Sequence, residues 1–142
     1  MSAEVYLTRP EIESVLPHKG ESMFLQEATV QPGISATATL ADIPSVIESG
    51  QKEIPHFVVL DALAQTLTLI EPPDENNIGL LAGIDNMVVH RKPLATEAVQ
   101  LNAGNVHKRG PVGRGHVVAR VGGEVLLEGD LIFAIANKSF LK

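Results

Sequence analysis

Cysteine and tryptophan are absent from this chain of 142 residues, and aromatic side chains are few, with four phenylalanines and one tyrosine. The lack of cysteine excludes a disulfide framework and any zinc site built from thiolates. It suits a reducing compartment, and we expect a cytoplasmic protein. The first ten residues hold no apolar signal core, and no apolar run reaches the length of a membrane span, so we expect no membrane association.

Basic residues are also fewer than acidic ones. The chain has eleven Lys and Arg and seventeen Asp and Glu, and its net charge is −6. Without a basic run, this balance argues against binding to nucleic acid or to an anionic membrane surface. One local basic cluster remains, at Lys108, Arg109 and Arg114. It is interpreted either as a solvated hairpin turn or as a docking point for an acidic protein.

Hydrophobic residues make up 44% of the chain, and its length is typical of one domain with a real core. We therefore expect a single domain over residues 1–142. The N-terminal part predicts a short helix and then two strands that join at Pro32-Gly33, over residues 10–16, 24–30 and 34–40.

One helix dominates the middle of the chain and is predicted near residues 56–70, where Pro72 and Pro73 stop it. After it, strands alone are predicted, over residues 78–89, 98–106, 115–121 and 125–136, with turns at 108–111 and 122–123. This order predicts an α+β fold in which a curved antiparallel sheet of five or six strands wraps around the central helix. Since the helix needs cover on every side, we expect a second chain to close its open face, as in a dimer.

The central helix carries one carboxylate, Asp61, among residues that are apolar on nearly all sides. A helix of this kind is usually buried, so Asp61 is expected to leave bulk solvent. Buried carboxylates either pair or shift their pKa, and they are frequent at active sites. The alternative is a structural Asp61 held by backbone N–H groups of the first turn. Gln65 lies one turn further on the same face, where its amide can donate to Asp61.

Several short motifs recur here in a recognisable order. They are Leu16-Pro17-His18-Lys19, Met23-Phe24-Leu25, Leu60-Asp61-Ala62-Leu63-Ala64-Gln65, Gly83-Ile84-Asp85 and Gly123-Glu124-Val125-Leu126-Leu127-Glu128-Gly129-Asp130-Leu131. Their order and spacing span nearly the whole chain and resemble the hotdog-fold 3-hydroxyacyl-(acyl carrier protein) dehydratases, in particular a divergent branch associated with polyene or polyketide-type clusters. The resemblance implies the hotdog fold, with Asp61 as the catalytic acid and Gln65 as the residue that orients it.

The chain departs from that family in the loop before the helix. The family's catalytic His lies about fourteen residues upstream of the acid in a Gly-His-Phe-Pro-like loop. Here residues 41–54 contain no histidine, and the corresponding position is near Ile47. The branch that this chain resembles also tends to lack the loop motif.

His56 is the obvious substitute for the missing base. It stands where the family has a Gly whose N–H polarises the thioester carbonyl, and the N–H groups of Phe57 and Val58 are further candidates for that role. The alternative is that His56 only caps the start of the helix. His18 resembles a structural element, and His90, His107 and His116 have no second His or carboxylate at ligand spacing, so no metal site is expected.

The resemblance implies a 3-hydroxyacyl substrate held as a phosphopantetheine thioester on acyl carrier protein, with no other cofactor. The expected partners are that carrier and a second hotdog chain, in a homodimer or a heterodimer. Three functions remain open from the residues. One is dehydration by Asp61 with His56 or with a partner's histidine, the second is thioester hydrolysis by water that Asp61 activates, and the third is a non-catalytic acyl-binding or scaffolding subunit.

Overall fold

The computed structural model describes residues 4–16, 23–42, 49–50, 52–72, 74, 76–137 and 139. The described ranges contain two helices and seven strands. In chain order these are β1 (Val5–Thr8), α1 (Arg9–Val15), β2 (Leu25–Gln31), β3 (Ser35–Leu40), α2 (His56–Ile70), β4 (Asn77–Val89), β5 (Gln100–Arg109), β6 (Val112–Val121) and β7 (Glu124–Asn137).

The strands form one antiparallel sheet in the order β1-β2-β3-β5-β6-β7-β4. Helix α2 packs against the inner side of this sheet, on β2, β3, β5 and β6. The predicted α+β hotdog architecture is confirmed, and α2 has the predicted bounds. Within the described ranges, no helix is both long and apolar enough to cross a membrane.

The described sheet has one strand more than the expected five or six. The additional strand is β1, which pairs with β2 at the edge opposite β4. Three of its four residues are exposed. Because neither face of β1 is well covered, its side chains show no apolar and polar alternation from which a strand could be predicted.

The turn predicted over residues 108–111 is shorter than expected. Strand β5 continues through Lys108 and Arg109, which pair with Gly113 and Val112 of β6, and the turn itself is Gly110-Pro111. Gly110 has φ +64°, a left-handed conformation that favours glycine. The charged residues Lys108 and Arg109 were assigned to the turn. The end of a hairpin is exposed on both faces, so strand residues there can also be charged.

Glycine brings α2 close to the sheet at one point. A Cβ atom at Gly115 of β6 would collide with the Cδ1 atom of Leu67, a buried residue of α2. Because Gly115 has no side chain, Leu67 occupies that space and the helix packs directly on the strand. This contact fixes how deeply α2 lies in the curved sheet.

Candidate active site

One stripe of α2 faces away from the sheet of its own chain. Phe57 is 64% exposed and Asp61 is exposed, while Leu60, Ala64 and Thr68 are half-buried. These residues recur every three to four positions and therefore share one face of the helix. The expectation that Asp61 leaves bulk solvent is wrong for the single chain, because one sheet covers only one side of an apolar helix.

A cavity of about 280 Å³ lies between α2 and the sheet, beside this stripe. Asp61, Gln65 and Thr68 line it from the helix. The opposite wall is mostly apolar and comes from β4, β5 and β7: Ile78, Leu80, Leu81, Val106, Leu131, Phe133 and Ile135. Asp61 therefore stands where an apolar cavity meets the uncovered face of the helix.

An ion pair also lines the cavity at the C-terminal end of α2. The Nζ atom of Lys108 lies 2.6 Å from Oε1 of Glu71, the residue that follows the helix. Lys108 therefore belongs to the cavity wall, a position that its sequence neighbourhood did not indicate. It belonged to the predicted basic cluster, which was interpreted either as a solvated hairpin turn or as a docking point for an acidic protein.

Gln65 joins α2 to the start of β2. Its Oε1 atom accepts a hydrogen bond of 3.0 Å from the backbone N–H of Phe24, and the residue is 2% exposed. This bond fixes the side chain of Gln65 while the residue lines the cavity next to Asp61. The predicted donation from its amide to Asp61 stays a prediction.

The N-terminal turn of α2 presents backbone donors. Pro55 occupies the N-cap position, and no side chain of the described residues caps this end. Val58 already donates its N–H to the carbonyl of Pro55 at 3.1 Å. Phe57 lies in the first turn, where a helix offers its N–H groups no acceptor of its own. Of the two predicted donors, the N–H of Phe57 is thus the better placed to meet a negatively charged oxygen.

His56 is the first residue of α2 and is half-buried. Five positions separate it from Asp61, so the two side chains leave the helix in directions about 140° apart. This divergence does not favour a pair formed within one chain. The loop position near Ile47 and His18 both lie outside the described residues.

A second polar cluster occupies the outer face of the sheet. Arg114 donates to Asp85 at 2.7 Å and to Asp130 at 2.9 Å. The ring nitrogens of His116 lie 2.9 Å from Asp130 and from Glu128. The hydrogen bonds to Asp130 and Glu128 raise the pKa of His116, and the bonds from His116 and Arg114 lower the pKa of Asp130.

This cluster corrects two expectations. His116 does have carboxylate neighbours, and they come from β7 through cross-strand pairing, so no spacing along the chain revealed them. Two of the three cations of the predicted basic cluster, Lys108 and Arg114, are already paired with carboxylates. Among the described residues, no group of three or more His, Asp or Glu side chains is arranged to hold a metal ion.

The chain is similar to known proteins both in sequence and in structure. The chain is 28% identical to the 3-hydroxyacyl-(acyl carrier protein) dehydratase FabZ of Bacillus pumilus over 141 residues, 93% of this chain and 98% of the relative. It resembles the dehydratase heterocomplex ApeI:P from Xenorhabdus doucetiae with a TM-score of 0.73 at 16% identity, over 92% and 93% of the two chains. No protein-family model matches.

A further structural likeness is to Cj0977, a sigma28-regulated virulence protein from Campylobacter jejuni, with a TM-score of 0.71 at 12% identity over 89% of this chain and 97% of that one. At such identities the solved structures establish the hotdog fold alone. The similarity to FabZ extends over nearly the full length of both chains. The chain therefore has the hotdog fold and is similar, over nearly its whole length, to the 3-hydroxyacyl-(acyl carrier protein) dehydratases of the FabZ type.

Proposed function

We propose that this protein removes water from a 3-hydroxyacyl thioester carried on acyl carrier protein. The observation that carries the proposal is the position of Asp61, a carboxylate at the edge of an apolar cavity that runs from there along the C-terminal half of α2, while the helix N-terminus lies about one and a half turns before it. Such a cavity suits an aliphatic chain, and the donors at the helix N-terminus suit a thioester carbonyl. The family relationship supports the same reaction.

In the proposed mechanism, His56 or a partner's histidine takes the proton from C2 of the substrate. The N–H of Phe57 stabilises the negative charge that develops on the thioester oxygen. Asp61 gives its proton to the C3 hydroxyl, the C3–O bond breaks, and water leaves as the C2–C3 double bond forms. Return of the proton from the histidine to Asp61 resets the site.

Asp61 needs a second chain for this role. A carboxyl group that is taken out of water favours its neutral form, which is the state that can give a proton. The uncovered stripe of α2 and the neighbouring edge strand β4 are the surfaces that a second hotdog chain would cover. Strand β4 runs for 13 residues at the sheet edge, with Leu81, Ile84 and Val88 exposed. Long apolar edge strands of this kind pair with other chains.

The partners follow from the same proposal. We infer a homodimer or a heterodimer with another hotdog protein, and the solved relative ApeI:P is itself a heterocomplex. Acyl carrier protein is the proposed donor of the substrate, which needs no further cofactor. The polyene-type branch and the cytoplasmic location stay predictions.

The test is product analysis by mass spectrometry after incubation of the purified protein with a 3-hydroxyacyl-(acyl carrier protein). A carrier-bound product lighter by one water is expected, and it disappears with Asp61→Asn. Release of the free hydroxy acid would instead assign a thioesterase. Binding of the carrier without turnover, also after addition of each co-encoded hotdog protein, would assign the scaffolding function and overturn the proposal.

A further inference from the structure

Arg91, two residues after the end of β4, forms a cluster of hydrogen bonds with two carboxylates and one backbone carbonyl. Its guanidinium makes paired hydrogen bonds of 2.8 and 3.0 Å to Glu97 and of 3.1 and 3.0 Å to Glu124. It also donates to the carbonyl of Lys92 at 3.1 Å. All five N–H donors of the guanidinium are thus in use. We call Arg91, Glu97 and Glu124 the Arg91 brace.

The brace ties three segments together: the end of β4, the loop that leads to β5, and the start of β7. Glu97 also accepts a 2.8 Å hydrogen bond from the backbone N–H of Leu94, which fixes the turn of the loop. Paired hydrogen bonds between guanidinium and carboxylate impose one geometry, because both groups are planar. The loop over residues 92–97 is therefore held in a single shape by side chains at its two ends.

The loop in turn holds the segment that leads into α2. Ile54 donates its N–H to the carbonyl of Pro93, and Ala95 donates its N–H to that of Lys52, both at 2.8 Å. Glu53 and Leu94 form a β-bridge between these two bonds. Ile54 itself is buried. Helix α2 begins two residues later, at His56.

No side chain of the described residues caps the start of α2, so its first turn depends on the preceding backbone for its position. That backbone is bonded to the loop that the brace holds. Hydrogen bonds linked by the short backbone segment 93–95 therefore form a path that connects Arg91, through Glu97, to the residues before His56. The proposed thioester contact, the N–H of Phe57, lies at the end of this path.

We propose that Arg91 is a positioning residue for the N-terminal turn of α2, acting through Glu97 and the paired backbone of residues 52–54 and 93–95. This inference rests on the proposed function, in which that turn binds the thioester carbonyl. The brace would hold the N–H of Phe57 where charge develops in the transition state. Displacement of such a donor by a fraction of an ångström to about 1 Å lowers turnover more than it lowers substrate binding.

The charges of the brace are insensitive to ordinary changes of pH. The Arg91 guanidinium and the Leu94 N–H lower the pKa of Glu97 to about 2. Removal of the brace should therefore change the size of kcat and leave the shape of its pH profile unaltered. A loss of the catalytic acid or base would change that shape.

The experiment compares Arg91→Met, Arg91→Lys and Glu97→Gln with the wild-type protein and with Arg114→Met as a matched control. Arg114 is also an arginine paired with two carboxylates, but it lies on the outer face of β6 and holds β6, β4 and β7 together. Three quantities are measured for each variant: kcat per folded molecule, KM, and the rate of amide hydrogen exchange at Ile54 and Ala95 by NMR.

With Arg91→Met we expect kcat to fall at least about tenfold with a smaller change in KM, and exchange at Ile54 and Ala95 to accelerate. Arg91→Lys should restore part of kcat. Glu97→Gln keeps the shape of the side chain and removes its charge. It replaces Arg91→Met as the test variant if Arg91→Met does not fold, and the same changes in kcat and exchange are expected. Arg114→Met should keep both kcat and the protection of Ile54 and Ala95.

Two failures are distinguishable. If the wild-type protein forms no dehydrated product, either alone or with any co-encoded hotdog protein, the proposed function is wrong, and the exchange data still decide whether the brace holds the start of α2. If the wild-type protein is active and Arg91→Met keeps both its kcat per folded molecule and its protected amides, the positioning role is overturned. Equal losses in Arg91→Met and Arg114→Met would also overturn it, because they would reflect general destabilisation.

Discussion

Asp61 lies between two surfaces of its own chain, and only one of them is covered. On one side is the cavity, where Gln65 and an apolar wall surround the carboxylate. On the other side is the uncovered stripe of α2, on which Phe57 is largely exposed. The same side chain therefore contacts a substrate-sized space and the surface where a second chain is proposed to bind.

Replacement of Asp61 by Asn tests the role of the carboxylate. Asp61→Asn keeps the size of the side chain and removes its proton-transfer function, so turnover should fall at least about a hundredfold. The unfolding midpoint should stay close to that of the wild-type protein. Gln65→Ala should act in the same direction but more weakly, because Gln65 orients and transfers no proton. Steady-state kinetics measure the turnover of each variant, and thermal unfolding measures its midpoint. If Asp61→Asn kept the turnover of the wild-type protein, Asp61 would have a structural role only.

We predict a pH-dependent contribution of His116 to stability, which involves no proposed catalytic group. Asp130 and Glu128 raise its pKa in the folded state. A raised folded pKa means that the contribution is fully present below about pH 6.5, the unfolded value, and is lost as the pH rises through the folded pKa. His116→Gln should remove this part of the pH dependence.

Chemical denaturation between pH 5 and 9 measures the effect as a difference between His116→Gln and the wild-type protein. The difference should be largest at the acidic end and should shrink above the folded pKa of His116. His107→Gln, an exposed position on β5, serves as the control. A constant difference across the whole range would contradict the assignment.

At the scale of elements, the depth of α2 in the sheet depends on the contact between Leu67 and the backbone of β6. Gly115 permits that contact because an added Cβ would overlap with Leu67. The cavity beside Asp61 is bounded by the same helix and by β4, β5 and β7. A shift of α2 away from β6 would therefore change both the packing of the core and the shape of the site.

Gly115→Ala should lower the free energy of unfolding by about 1–3 kcal/mol, since overpacking forces side chains from their preferred rotamers. Gly123→Ala is a matched control, because a Cβ at Gly123 would meet no atom within 4 Å. Urea denaturation of both variants gives the comparison. Equal stability of the two variants would show that Leu67 moves aside at no cost.

At the scale of the whole molecule, the angular separation of His56 and Asp61 on α2 is the basis for proposing a site shared between chains. If Asp61 of one chain works with His56 of its partner, two inactive variants should complement each other. A mixed dimer of Asp61→Asn and His56→Ala then holds one intact site and one site that lacks both groups. A site within one chain would remain inactive in every such mixture.

Coexpression of the two variants in equal amounts should yield about a quarter of the wild-type turnover, because half of the dimers are mixed and each has one of two sites intact. Each variant alone should be nearly inactive. Product formation is measured on the purified mixture, with subunit composition verified by mass spectrometry. Undiminished turnover in His56→Ala alone would exclude His56 as the base, and turnover that appears only with a co-encoded hotdog protein would point to a histidine of that partner.

The sequence by itself determined the elements whose signals are local. Helix α2 has the predicted bounds because a continuous apolar stretch is broken sharply by Pro72. The hairpins at Gly33 and Gly122 were predicted from glycines, and both adopt positive φ in the structure. The alternation in β3 and the position of Asp61 on the central helix were likewise present in the chain itself. From these signals a curved antiparallel sheet around one helix and the candidate acid were predicted, and the resemblance to the dehydratases added the hotdog fold.

Only the tertiary structure decided which face of α2 the sheet covers. A helix that is apolar on nearly all sides contains no signal for its exposed stripe, so the solvent exposure of Asp61 depends on the curvature and extent of the sheet. The partners of His116, Lys108 and Arg91 are equally invisible along the chain. They come from residues brought together by strand pairing and by the ends of distant elements, and such contacts exist only once the whole sheet has formed.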